Sequence, residues 1–440
     1  MEPTVTSPVV DRLIEKEIFR CGACHAPLRR AGDGSLICEA GHDYPPKHGV
    51  LDLYARCDAS PGDAPRDAAQ DAVISALADR LALARDDLLA AELFEPLEKT
   101  GNGFFDAEEN IFLDRFEFAN VAPRLTVRKV YSSGKMQAGE THWLAVRVEN
   151  ASPFVISSSG AKPVLLSYHW LNDDGSVRLF DGRRTALPVD VKPGQAVTAH
   201  VAVDAPADVA HLRLKVLPVH EYVSWLEDDG ETLEIEFTSG AAMEPPRFDA
   251  GRPFSEDLDN ELSQNFLDRH LSRLADPVCL EIGGGSIASL SRWMWATKKS
   301  GTVINSDVSV RLLRVAALLS AKGADPVTAH CRFDANNMPV RDGALDAAAF
   351  SRSLHHFEDP IRVLRECHRV LKPGGLLFLL CEPVAVIYDE PTKALIRMGV
   401  NEQMFPFDAY EAMIDAASFE CVDAACDWGF SLKAALRKKA

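Results

Sequence analysis

No stretch of about 18 uninterrupted apolar residues occurs in this 440-residue chain, so the sequence predicts no helical membrane span. The amino terminus, MEPTVTSPVVDRLIEKE, carries acids early and lacks the apolar run of a secretory leader. Cysteine is scarce: ten are too few for a disulfide scaffold, and three of the first four stand at metal-ligand spacing. These shortages predict a cytoplasmic protein. Basic residues are outnumbered, 47 Lys and Arg against 65 Asp and Glu, giving a formal net charge of −18. Nucleic acid is therefore disfavoured as a partner, because its affinity comes largely from cations that neutralise phosphates. With 47% hydrophobic residues the chain has material for two to four cored domains.

Residues 1–60 hold Gly, Pro, short apolar pieces and a Cys/His cluster, a composition too poor in core to fold without a staple. Cys21, Cys24, Cys38 and His42 read as C-x2-C, a gap of 13, then C-x3-H: two ligand pairs on two turns that close a tetrahedral site. His25 and Cys57 are alternative ligands. Four protein ligands leave no open position for a catalytic water, so the expected Zn2+ is structural. Residues 61–119 read as a helical linker region: Pro, Asp and Ala at 60–67, then apolar residues near helical spacing from Ala68 to about Leu97.

Between residues 120 and 240 the apolar period changes to two, as in Leu144, Val146, Val148 and in Leu212, Leu214, Val216. An antiparallel β-sandwich of about seven strands is the economical reading. From 250 to 440, strand-like runs (VCLEI, TVINSD, LDAAAF, LLFLLC) alternate with helix-like ones, the rhythm of a parallel α/β sheet. The expected fold class is thus multidomain, α/β plus β: a small zinc ribbon, a β-sandwich and a C-terminal Rossmann-like domain.

Three strand ends in that last domain carry polar signals in succession. VCLEI runs into Gly283, Gly284 and Gly285, a turn that lets backbone approach a ligand at the sheet's carboxyl edge. TVINSD ends in Asp307, placed to grip a ribose through both hydroxyls. CRFDANNMP then brings Asp334 and Ala335, suited to an adenine amino group and ring.

LEIGGGS, VINSDVS, FDANNMPVRDGALDAAAFSRSLHHFEDP and LRECHRVLKPGGLLFLLCEP resemble the successive motifs of the methyltransferase type 11 group of class I S-adenosylmethionine (SAM)-dependent enzymes, over about residues 255–425. The resemblance implies SAM as cofactor. It implies that Glu281 orders the glycine loop or faces the methionine part, that Gly283 and Gly285 give that part room, and that Asp307 binds the ribose. Asp334 and Ala335 would hold the adenine, and Ser351 would sit beside the sulfonium. A hydroxyl acceptor needs a base, for which His355 or the adjacent His356 is the candidate, His355 first. Glu382, Asn401 and Glu402 are substrate-side candidates. The sequence departs from the family at Ile287, where a third loop glycine is usual, and in the bulky run Trp293, Met294, Trp295.

The ribbon, followed by HDYPPKHGVLDLY, resembles that of some bacterial 23S rRNA guanine methyltransferases. The segment LSYHWLNDDGSVRLFDGRRTALPVDVKPGQ, with VHEYVSWLEDDG, is similar to sandwich modules of bacterial surface-polysaccharide proteins; by that likeness Tyr168, Trp170, Tyr222 and Trp225 would stack on sugars, although alternation puts at least two of them in the core. Together these features predict O-methylation of a sugar in a glycan or glycan precursor, with a glycan or small molecule as acceptor. Two alternatives stand beside it. One is an RNA base methyltransferase; the other is a noncatalytic glycan-binding scaffold with a decayed fold, suggested by Ile287 and by a tail after Trp428 in which last strands are hard to place.

Overall fold

The computed structural model describes residues 8–32, 35–45, 48–54 and 123–439, except 132–133, 153–154, 160–161, 209, 228–229, 239–246, 249–252, 324, 326, 385–387 and 398–399. The helical stretch read at 61–119, and Cys57, lie outside the described residues. No helix among the described residues is long and apolar enough to cross a membrane.

The C-terminal sheet has nine strands, in the order Arg247–Phe248, Phe419–Asp427, Ser431–Lys438, Leu371–Pro383, Leu345–Ser351, Val278–Ile282, Thr302–Asp307, Thr328–Arg332, Val50–Asp52. Val278–Ile282 pairs in parallel with Thr302–Asp307 on one side and Leu345–Ser351 on the other, so the strand order reverses there. A doubly wound sheet opens a ligand crevice at the carboxyl ends of such strands. These central strands are buried on both faces, which explains their near-continuous apolar runs. The tail is not strandless: Ser431–Lys438 runs antiparallel to both Leu371–Pro383 and Phe419–Asp427 and completes the sheet.

The N-terminal segment has a helix, Pro8–Glu15, and three short antiparallel strands, Arg29–Arg30, Leu36–Ile37 and Asp43–Tyr44. It does not stand apart. Val50–Asp52 is the edge strand of the C-terminal sheet, parallel to Thr328–Arg332, and Leu13, Phe19, Leu36 and Leu53 share one core with Ala329, Phe333 and Val340. A segment this short buries too little surface alone, and docking on a larger domain supplies the missing partner face.

Between them lie two packed sheets, of seven strands and of three, where the sequence suggested about seven in all. Alternation puts Leu144, Val146, Val148, Tyr168, Trp170 and Leu214 into the core between the sheets. The other face of the three-stranded sheet (Ala196–Asp204, Thr141–Asn150, Leu125–Tyr131) turns to the C-terminal domain: Ala145 joins that domain's core, and His200 accepts the Met404 N–H at 3.2 Å.

Candidate functional site

The glycine turn begins where Val278–Ile282 ends. Gly283 and Gly285 have φ of 66° and 55°, a region side chains strain to enter. Gly284 is required for a different reason: a Cβ there would lie 2.2 Å from Asn305 Oδ1. Glu281 is fully buried beneath the turn, and its carboxylate accepts the N–H groups of Ser289 (2.7 Å) and Leu290 (2.6 Å) at the start of the helix Ser289–Ala296. Burial pushes its pKa up to about 7, against the pull of those donors. Glu281 therefore orders the turn and is absent from the cleft wall. Glu281→Gln aims an amide donor at a backbone N–H, and the buried donor left unsatisfied is expected to destabilise the protein by about 1–3 kcal/mol in chemical denaturation. An unchanged unfolding midpoint would show that the two hydrogen bonds carry no weight.

A cleft of about 370 Å³ opens over the turn, and Gly283, Gly285, Asp307, Asp334 and Ala335 line it together. Asp307 accepts the Gly285 N–H at 3.1 Å through Oδ2 and the Ser309 N–H at 2.8 Å through Oδ1, which fixes the second strand end against the turn. Asp334 accepts the Asn336 N–H at 2.8 Å and so starts the short turn Ala335–Asn337. Ser351 is not part of the wall. Its hydroxyl accepts from Ser289 Oγ at 3.0 Å behind the turn, while Arg352, at φ 51°, redirects the chain so that Ser353 reaches the cleft. The Ser353 hydroxyl donates to the Ile282 carbonyl at 2.7 Å.

Residues 280–379 match the family model described as "Methyltransferase domain". The C-terminal region carries a SAM-dependent methyltransferase domain. A ubiquinone biosynthesis O-methyltransferase from Chromobacterium violaceum is 32% identical over 120 residues, 27% of this chain and 50% of that protein. The ubiquinone/menaquinone biosynthesis C-methyltransferase UbiE of Acidiphilium cryptum is 33% identical over 102 residues, 23% of this chain and 40% of that protein. The chain thus spans half or less of the length of these two relatives. A solved SAM-dependent methyltransferase from Aquifex aeolicus covers 42% of this chain and 100% of its own at 14% identity, with a TM-score of 0.35.

The methyltransferase cleft is also lined by His356, Phe357, Glu358, Arg362 and Asn401. His355 is not among them, which corrects its expected place as the base. Its ring is buried, Nδ1 lies 2.8 Å from Glu382 Oε2, and Nε2 lies 3.5 Å from Glu402 Oε2. Burial lowers its pKa, but the two carboxylates outweigh that and raise it to about 9, so the ring carries a proton instead of taking one. Glu382, fully buried, also accepts the N–H groups of Ser353 (2.8 Å) and Leu354 (3.0 Å). It acts as the anchor of this turn, and Glu402 sits 3.1 Å from His356 Nε2.

Contacts to the wall also come from the three-stranded sheet. Arg147, on Thr141–Asn150, pairs with Glu358 at 2.5 Å and donates to Asn401 Oδ1 at 3.1 Å, and Thr198 donates to the same oxygen at 3.0 Å. Sequence reasoning missed Arg147, and nothing local signals a partner 254 residues away.

Cys21, Cys24, Cys38 and His42 converge outside the cleft lining, with their ligand atoms within 4.8 Å of one another. Cys24 Sγ lies 3.8 Å from Cys38 Sγ, and His42 Nδ1 lies 3.4 and 3.3 Å from the sulfurs of Cys21 and Cys38. Ligands of one tetrahedral ion at Zn–S and Zn–N bond lengths stand about 3.5–3.8 Å apart, so the donor set fits. The Tyr44 hydroxyl lies 3.0 Å from Cys21 Sγ and orients it.

Proposed function

We propose that this protein uses SAM to methylate a hydroxyl of a sugar in a glycan or glycan precursor, in the cytoplasm, with a structural zinc in its N-terminal segment. The observation that carries the cofactor half is the convergence of the glycine turn, Asp307 and Asp334 on one cleft. SAM brings an activated methyl group, so the residues' main task is to align it with the attacking oxygen. No disulfide joins the described cysteines, which accords with a reducing compartment.

Support for a sugar is narrower than the sequence suggested. Tyr168 and Trp170 are core residues: the Tyr168 hydroxyl accepts the Asp204 N–H and Trp170 Nε1 donates to the Asp204 carbonyl. Tyr222 is exposed, and the paired surface candidates are Phe180 and Trp225, with ring centroids 5.2 Å apart and the Arg184 guanidinium 4.8 Å from the Trp225 ring. Both rings flank His169, which points away from the core that takes Tyr168 and Trp170, so this aromatic surface would hold glycan units remote from the one being methylated. A ring hydroxyl, represented by a phenol, is our second reading, motivated by the likeness to the Chromobacterium protein named a ubiquinone biosynthesis O-methyltransferase.

Incubation with methyl-labelled SAM and a panel of lipid-linked sugars, polyhydroxylated phenols and RNA tests the reading. Label in the sugar supports it. Label confined to the phenol moves the assignment to the second reading, and label confined to RNA contradicts both.

A further inference from the structure

Two carboxylates and two imidazoles meet beside the cleft, with His356 in its wall, in a pattern that the cofactor site does not use. His355, His356 and Glu402 each offer a donor atom within 4.8 Å of the others. The two Nε2 atoms stand 3.5 and 3.1 Å from opposite oxygens of the Glu402 carboxylate. Ligand atoms bound to one ion at about 2.1 Å stand about 3.0–3.4 Å apart, so only small shifts separate this arrangement from a coordination shell. Behind it, Glu382 engages His355 Nδ1 at 2.8 Å. That contact leaves Nε2 to serve as the ligand, as metal-binding histidines are commonly oriented by a carboxylate on the other nitrogen.

We propose that His355 Nε2, His356 Nε2 and Glu402 bind a divalent first-row transition-metal ion at the acceptor end of the cleft, with Glu382 as the positioning residue behind His355. Two carboxylates with two neutral imidazoles balance a divalent charge within a mostly buried cluster. Three protein ligands leave positions open, and of the three His356 lines the cleft, the side from which an acceptor would reach them. An acceptor with adjacent oxygens, such as a vicinal diol, would chelate there. This step rests on the methyltransferase reading: the ion lowers the pKa of one coordinated hydroxyl, its proton leaves to solvent, and the oxygen attacks the SAM methyl carbon. The O–C bond forms as the C–S bond breaks, and the electron pair neutralises the sulfonium to give S-adenosylhomocysteine.

The test titrates Co2+ into the full-length protein whose Cys/His cluster already holds zinc, followed by visible absorption. One equivalent of Co2+ bound with nitrogen and oxygen ligand bands, and no thiolate charge-transfer band, is the expected result. Affinity should fall at least about 10-fold in Glu402→Gln and by about 10–100-fold in Glu382→Gln. No binding by the wild-type protein overturns the site without any variant, as does binding that His356→Ala and Glu402→Gln, both still folded by circular dichroism, leave unchanged. S-adenosylhomocysteine titrated into the same protein separates the two readings: a protein that binds it but fails to bind Co2+ rejects the metal site alone, and failure to bind it rejects the methyltransferase reading.

Discussion

Replacing Cys38 by Ser, or stripping the metal with a chelator, is expected to lower the melting temperature and to weaken S-adenosylhomocysteine binding at least about 10-fold, a loss of about 1.4 kcal/mol. Structural zinc contributes about 10–16 kcal/mol of apparent binding free energy in zinc-finger peptides, and the zinc proposed for the Cys/His cluster would add to the shared core that holds this segment in place. The consequence reaches the cofactor because the segment is wired to the cleft. Arg332 pairs with Asp52 at 3.3 Å, lies 4.6 Å from the Tyr54 ring, and donates to the carbonyl of Val308, the residue after Asp307, at 2.9 Å. On the adenine side, Arg20 N–H donates to the Pro339 carbonyl at 2.8 Å and Arg341 N–H to the Ile18 carbonyl at 2.9 Å. Loss of the metal frees these contacts together. Scanning calorimetry and titration on the chelated protein check the prediction, and unchanged values in both would detach the ribbon from the site.

Lys433→Met is expected to cost about 3–5 kcal/mol of stability. The ammonium lies 2.6 Å from Asp259 Oδ1 and 2.5 Å from Asp427 Oδ2, and all three side chains are almost wholly buried. Methionine keeps the stem and removes the charge, which leaves two carboxylates facing each other without their shared cation. Arg352, a cleft residue, still pairs with Asp259 at 2.8 Å, so the damage extends towards the cofactor. Burial raises the Asp259 pKa, yet the charge and hydrogen bond of Lys433 hold it below the usual carboxylate range. Its contribution is therefore present above about pH 4, the unfolded value, and is lost as pH falls through the lower folded one. Urea unfolding at neutral pH measures the effect; a change within about 0.5 kcal/mol would mean that the triad is not a stabilising unit.

What the sequence revealed follows from what each signal depends on. Strand and helix periods reflect burial, so the parallel sheet of the methyltransferase domain and the alternation of Leu144, Val146 and Val148 were legible. The acids at strand ends were legible because chemistry restricts what can stand there. Edge pairing was not: Val50–Asp52 joins the sheet through backbone groups, which leave no side-chain pattern. SLKAALRK hid its strand because Ala, Leu, Lys and Arg favour helix locally, and tertiary pairing overrides that preference. Ser351 was misplaced by two positions because a positive φ at Arg352 turns the chain just past the strand. The motif marked the two histidines as important, but only packing showed that His355 faces Glu382 and His356 the cleft.

Calorimetric titration with S-adenosylhomocysteine, on the zinc-loaded protein and on Asp307→Ala, tests the central claim most directly. Asp307 holds the Gly285 N–H and lines the cleft, so its loss should weaken binding about 100-fold, or about 2.8 kcal/mol. Saturable binding to the wild-type protein, weakened to that extent in the variant, is the predicted result. No binding by the wild type, or equal binding by both, would contradict the assignment of this cleft to SAM.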